Sequence, residues 1–185
     1  MLKNTIMSAA VMTALVAPAS AATTYDAKGV VEMANQQMIE FMADGTLDTN
    51  EANQLLDFVA VDEVGRFALG ANARRASEED LAAYQDAFED YLVEQLQMHL
   101  GDLQGVEFQI TGSVERAEDD VVIETEAVGN SEYSDINWRV KKIDGQWKVI
   151  DVEAMGLWLA IEQRAQFDAK LGANGNDVGA LAEEL

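Results

Sequence analysis

The stretch Ile136-Asn137-Trp138-Arg139-Val140-Lys141-Lys142-Ile143-Asp144-Gly145-Gln146-Trp147-Lys148-Val149-Ile150-Asp151 decides the fold. Asp144-Gly145 is a strong signal for a two-residue hairpin turn, and apolar residues alternate with polar ones on both sides of it. Counting outward pairs Lys142 with Trp147, Val140 with Val149, and Trp138 with Asp151. Because alternate strand residues share a face, Ile136, Trp138, Val140, Trp147 and Val149 form one apolar surface. The opposite surface carries Arg139, Lys141 and Lys148 beside Ile143 and Ile150, so it is partly wet.

The same period of two extends upstream. Phe108, Ile110 and Val114 alternate with polar residues, and Val121 to Val128 makes another strand. The expectation is a curved, four-stranded antiparallel sheet. Before Val106 the period becomes 3.6. Val30, Val31, Ala34, Met38, Phe41 and Met42 predict a helix over Tyr25 to Ala43, ended by Gly45. Thr49 or Asn50 caps a second helical segment carrying Leu55, Leu56, Val59, Val64, Phe67 and Leu69, closed by Gly70. Ser77 to Asp80 has capping-box spacing for a long third helix with a stripe of Leu81, Tyr84, Phe88, Tyr91, Leu92, Leu96 and Leu100. After the sheet, a helix from about Gly156 places Leu157, Trp158, Ile161, Ala165 and Leu171 inward. Asn174 to Asp177 breaks the chain before a short tail with Val178, Leu181 and Leu185. The fold class is α+β, with N-terminal helices, the sheet and C-terminal helices.

Lys3, the apolar run Ile6 to Ala17 and Ala19-Ser20-Ala21 read as a secretory signal peptide over residues 1–21. A membrane anchor would need about 20 apolar residues. Residues 22–185 are then one domain released outside the cytoplasm. The chain has no cysteine and one histidine, which excludes Cys/His zinc sites and a cysteine nucleophile. The net charge of −22 disfavours nucleic acid and anionic lipid surfaces as partners. At 49% apolar residues, the chain has material for a core.

No phosphate-binding loop, dinucleotide fingerprint, nucleophile elbow or metalloprotease motif is present. His99 reads as a helix-terminal histidine, partly buried or facing the helix dipole. Glu78-Glu79-Asp80 reads as helix N-terminal charge, and Glu118-Asp119-Asp120 as a hairpin turn. Asp151, counted onto the apolar face, needs a partner there. Its structural reading is a hydrogen bond to backbone or to Trp138 that fixes the turn into the last helix. Its chemical reading is a general base in a cavity enzyme. A non-catalytic adaptor with a filled core is a third reading.

Two blocks carry a family resemblance. The first is Leu69-Gly70, Arg74, and Ser77 before a helix containing Phe88. The second is Gly145 to Val152, then Gly156, Leu159, Arg164, Gln166 and Phe167. Together they resemble the MlaC family, also called toluene-tolerance auxiliary proteins. Ala73, Leu96, Met155 and Trp158 depart from the residues usual in that family.

The resemblance implies a periplasmic, non-enzymatic phospholipid carrier. It would work between an outer-membrane lipoprotein–porin complex and the periplasmic ring of an inner-membrane ABC transporter. It implies a monomer without cofactor, its cargo a phospholipid whose acyl chains lie in an apolar pocket between sheet and helices. Residues whose periodicity faces that gap are Phe67, Phe88, Leu92, Leu96, Phe108, Ile110, Ile136, Trp138, Val140, Val149, Leu157, Trp158 and Ile161. Arg74 and Arg164 match family positions and are expected to fix helices through ion pairs or hydrogen bonds.

Overall fold

A computed structural model describes residues 26–128 and 135–185; the signal-peptide reading of residues 1–21 lies outside them. Helix α1 (Ala27–Phe41) begins at Asp26, whose carboxylate accepts from the Gly29 N–H at 2.8 Å. A 3-10 turn, Met42–Asp44, carries it to the left-handed Gly45. Helix α2 (Thr49–Leu56) is capped by Asp48, one residue before the expected Thr49 or Asn50: Asp48 and Glu51 each accept from the other's backbone N–H.

The single second segment expected from the sequence is two helices. Helix α3 (Val61–Leu69) is separated from α2 because the intervening backbone joins a strand edge instead. The Val149 N–H donates to the Phe58 carbonyl at 2.8 Å, and the Ala60 N–H donates to the Val149 carbonyl at 2.9 Å. The Lys148 ammonium also donates to the Asp57 carbonyl. Helix α4 (Glu78–His99) is capped by Ser77, whose hydroxyl oxygen accepts from the Asp80 N–H at 3.0 Å and donates to the Asp80 carboxylate at 2.6 Å. The reciprocal half of a capping box is therefore not formed. His99 is exposed, not partly buried.

The strands β1 (Glu107–Ala117), β2 (Asp120–Val128), β3 (Asp135–Ile143), β4 (Gln146–Ala154) and β5 (Leu157–Trp158) lie side by side in chain order, all antiparallel. The fifth strand was not expected. Met155 and Gly156, with φ of 53° and 78°, make a second two-residue turn like that at Asp144 and Gly145. Leu157 and Trp158 therefore form a strand, and helix α5 (Leu159–Ala173) begins after them. Helix α6 (Val178–Glu183), capped by Asp177, ends the chain's regular structure.

Register follows the sequence count from Asp144-Gly145 as far as Val140 opposite Val149. There a β-bulge intervenes: Arg139 faces Asp151, and Trp138 faces Val152. The expected pairing of Trp138 with Asp151 is thus displaced by one residue, because Ile150 has no partner on β3.

Helix α1 lies over the inner sheet face, with Val30 and Val31 buried against Val121, Ile123, Val140 and Val149. A second core is wholly helical. Tyr84, Phe88 and Phe167 pack with Leu69, Leu171, Val178 and Leu181, the Tyr84 and Phe88 rings stacked 5.6 Å apart and Phe167 edge-on to Phe88 at 6.1 Å. Of the expected inward residues of α5, Leu171 is buried, whereas Ile161 and Ala165 are exposed; Ala160 and Phe167 are the inward positions.

Gly70 joins these parts. Its φ of 56° with ψ of −124° is a conformation that side chains resist, and a Cβ there would stand 2.9 Å from the Arg164 guanidinium. The Arg164 guanidinium in turn lies over the Phe67 ring, 5.3 Å from its centroid. Gly70→Ala is expected to lower stability by about 1–3 kcal/mol in urea denaturation, from backbone strain.

Candidate functional site

The inner sheet face is built of cross-strand rows. Ile110, Thr125, Ile136, Ala154 and Leu157 are successive partners from β1 to β5, and directly paired side chains project to the same face. Ile123, Trp138 and Val152 form the adjacent row. Thr125 is buried within this apolar surface. Its hydroxyl donates to the Ile136 carbonyl at 2.6 Å and accepts from the Trp138 indole N–H at 3.3 Å. The indole is therefore satisfied without water and its plane is fixed. Sequence reasoning passed over Thr125, although strict alternation from Val121 and Ile123 points it inward.

Trp138, Val59 and Val152 are half-buried and bridge two apolar groups. One is the α1 group described above. The other gathers Met38, Leu55, Val93, Phe108 and Ile136 between α1, α2, α4 and the sheet, with Leu92 and Leu96 half-buried beside them. The result is an apolar seam between sheet and helices in which Leu92, Leu96, Trp138, Val59 and Val152 retain partial exposure beside buried Phe108 and Ile136.

The structure brings Leu92, Leu96, Phe108, Ile136 and Trp138 together in this seam. Ile110, Val140 and Val149 lie under α1, next to it. Phe88 belongs to the helical core instead of the sheet–helix gap. Leu157 stands at the rim, paired with Ala154 and 52% exposed, and Ile161 in α5 is exposed to the same extent. Trp158 is half-buried opposite Glu153.

Phe67, 42% exposed, is on the other side of the sheet. There it lines a groove of about 430 Å³ with Val64, Arg139, Lys141, Ile150 and Asp151. Asp151 has therefore left the apolar face on which the count placed it. One of its carboxylate oxygens accepts from the Val152 and Ala160 N–H groups, both at 2.9 Å. It thus ties β4 to the first turn of α5, as the structural reading expected. Burial pushes this carboxyl above its ordinary value, against those two hydrogen bonds.

Asp120 shows the opposite balance. Arg139 binds it through two nitrogens, at 2.6 and 3.0 Å, and this hydrogen bonding holds its carboxyl below the ordinary range. Arg164 reaches Asp168 at 3.9 Å as well as Phe67, while Arg74 is exposed in the turn Asn72–Arg74. Among the described residues no acidic or histidine cluster could hold a metal ion, and no helix is long and apolar enough to cross a membrane.

An antiparallel sheet with helices gathered across its inner face and an apolar seam between them defines an α+β sheet–helix domain. A family model described as MlaC protein matches residues 30–185, and the chain belongs to that family. Comparison with curated proteins finds no match. Among solved structures, the phospholipid-binding protein from Ralstonia solanacearum in complex with a phospholipid superposes with a TM-score of 0.73 at 23% identity. The alignment covers 86% of this chain and 94% of that one, a likeness of fold.

Two outcomes check the polar framework. Asp151→Ala is expected to cost about 1–2 kcal/mol at neutral pH by leaving two N–H groups unpaired. Asp151→Asn, which keeps an acceptor oxygen, should cost less in the same urea titration. For Asp120 the native-state carboxyl titrates below its unfolded value, so its contribution is present above the ordinary Asp range. It is lost as pH falls through the lowered native value. Asp120→Asn should therefore destabilise by about 1 kcal/mol near pH 7, with the gap to wild type closing in acid.

Proposed function

We propose that this protein is a periplasmic phospholipid carrier. It holds acyl chains in the seam between the inner sheet face and helices α2 and α4, and carries lipid between the two membranes. The reading is carried by one observation: a chain of the MlaC family keeps half-buried apolar residues, Leu92, Leu96 and Trp138, where its sheet meets its helices. The phospholipid held by the Ralstonia solanacearum protein of like fold supports it.

The energetics suit the task. Each CH₂ group taken out of water contributes about 0.8 kcal/mol, so cargo binding needs an apolar lining and no catalytic group. Leu92, Leu96, Phe108, Ile136 and Trp138 supply that lining. Val140 and Val149 support it from beneath as ordinary core. The net charge of −22 repels anionic headgroups and favours release of the loaded carrier from a membrane surface. The lipid is exchanged with an outer-membrane lipoprotein–porin complex at one end of the route. At the other end it meets the periplasmic ring of an ABC-type transporter.

Native mass spectrometry of the purified protein should detect a co-purified phospholipid. Trp138→Ala should retain the fold and change the amount or chain composition of the lipid held. Wild-type protein with no bound lipid and no uptake from liposomes would overturn the carrier reading.

A further inference from the structure

The segment from Met155 to Ile161 departs from the rest of the surface. In a chain with 34 acidic residues, it exposes four large apolar side chains within seven positions. Met155 is 71% exposed, Leu157 52%, Leu159 51% and Ile161 52%. Apolar groups concentrated in this way on an otherwise charged surface mark a place that something apolar covers.

The sheet register gives that place a direction. Leu157 pairs with Ala154, and Ala154 pairs with Ile136, so the three share the inner face. Along this row the surface passes from the buried Ile136, through the half-buried Ala154, to the exposed Leu157. The seam thus continues outward across the β4 edge and onto β5. Ala154 is the one small side chain on the way.

Nearby contacts frame the passage. Further along β4 the outer edge is already occupied, since Phe58 and Ala60 both bond the Val149 backbone. On the helix side, the Tyr91 hydroxyl donates to the Gln163 side-chain oxygen at 2.7 Å and fastens α4 to α5.

We propose that lipid acyl chains enter and leave the seam sideways over β5, through a portal at Ala154 and Leu157. This rests on the carrier reading and adds a route to it. The exposed Leu157 is the surface that acyl chains cross, and the methyl-sized side chain of Ala154 leaves the threshold low. A chain moving over this lip keeps apolar contact at each step, which lowers the barrier to exchange.

The test follows uptake of NBD-labelled phosphatidylethanolamine from liposomes by the purified protein, with thermal melts to verify folding. Ala154→Trp raises the threshold and should slow uptake by about tenfold or more, and Leu157→Asp should slow both uptake and release to a similar degree. Val114→Trp, at an exposed position on β1, serves as the control and should leave the rate unchanged. Should Ala154→Trp fail to fold, Leu157→Asp decides, because its side chain is already half in water. Wild-type rates in the folded variants would overturn the portal while leaving the carrier intact. Absence of uptake by wild type would instead remove the carrier reading and the portal with it.

Discussion

Strand β4 carries one residue more than β3 pairs, and that residue is Ile150. Before it, Trp147 and Val149 face the helices; after it, Val152 does, and Asp151 is turned to the other side. Without the bulge a carboxylate would face Trp138 in the apolar seam, where an unpaired charge is strongly disfavoured. With it, the same carboxylate accepts from Val152 and Ala160 and starts α5 in place. The bulge also restores the apolar phase through Val152 and Ala154, which lets Leu157 extend the inner face onto β5. Seam, rim and the start of α5 all descend from one unpaired residue.

The hairpin around Asp144-Gly145 was legible because its turn chemistry and alternation agree at every position out to Val140 and Val149. The bulge was not, since counting by two assumes a continuous ladder. The adjacent apolar pair Val149-Ile150 is the trace it leaves, and that pair also fits an ordinary strand. Strand β5 was hidden for another reason. Met155 takes a positive φ without being a residue that favours it, so Met155-Gly156 carries only half of a turn signature. The break between α2 and α3 depends on hydrogen bonds to Val149, about ninety positions away, which local periodicity does not register.

The candidate site was legible in type more than in place. Leu92, Leu96, Phe108, Ile136 and Trp138 do converge, because a helix stripe and a strand face each select one side of their element. Phe88 lies on the same stripe as Leu92 yet packs into another core. A stripe over 22 residues has room for two partners: its first half meets α5 and α6, its second the sheet. Periodicity shows which side of α4 is apolar, and tertiary packing decides what covers each turn.

That division of α4 bears on how a carrier can open without unfolding. Tyr84, Phe88, Phe167, Leu171 and Leu181 are almost wholly shielded, and Gly70, Arg164 and Asp151 tie this core to α3, α5 and the sheet. The seam around Trp138 is less completely shielded, and its half-buried members have less contact to lose when they separate. Local opening is easiest where few buried contacts must break. On the proposed function, stability therefore resides in the helical core and mobility in the seam, with α4 belonging to both. Cargo exchange then draws on the second half of α4 while the first half keeps the domain assembled.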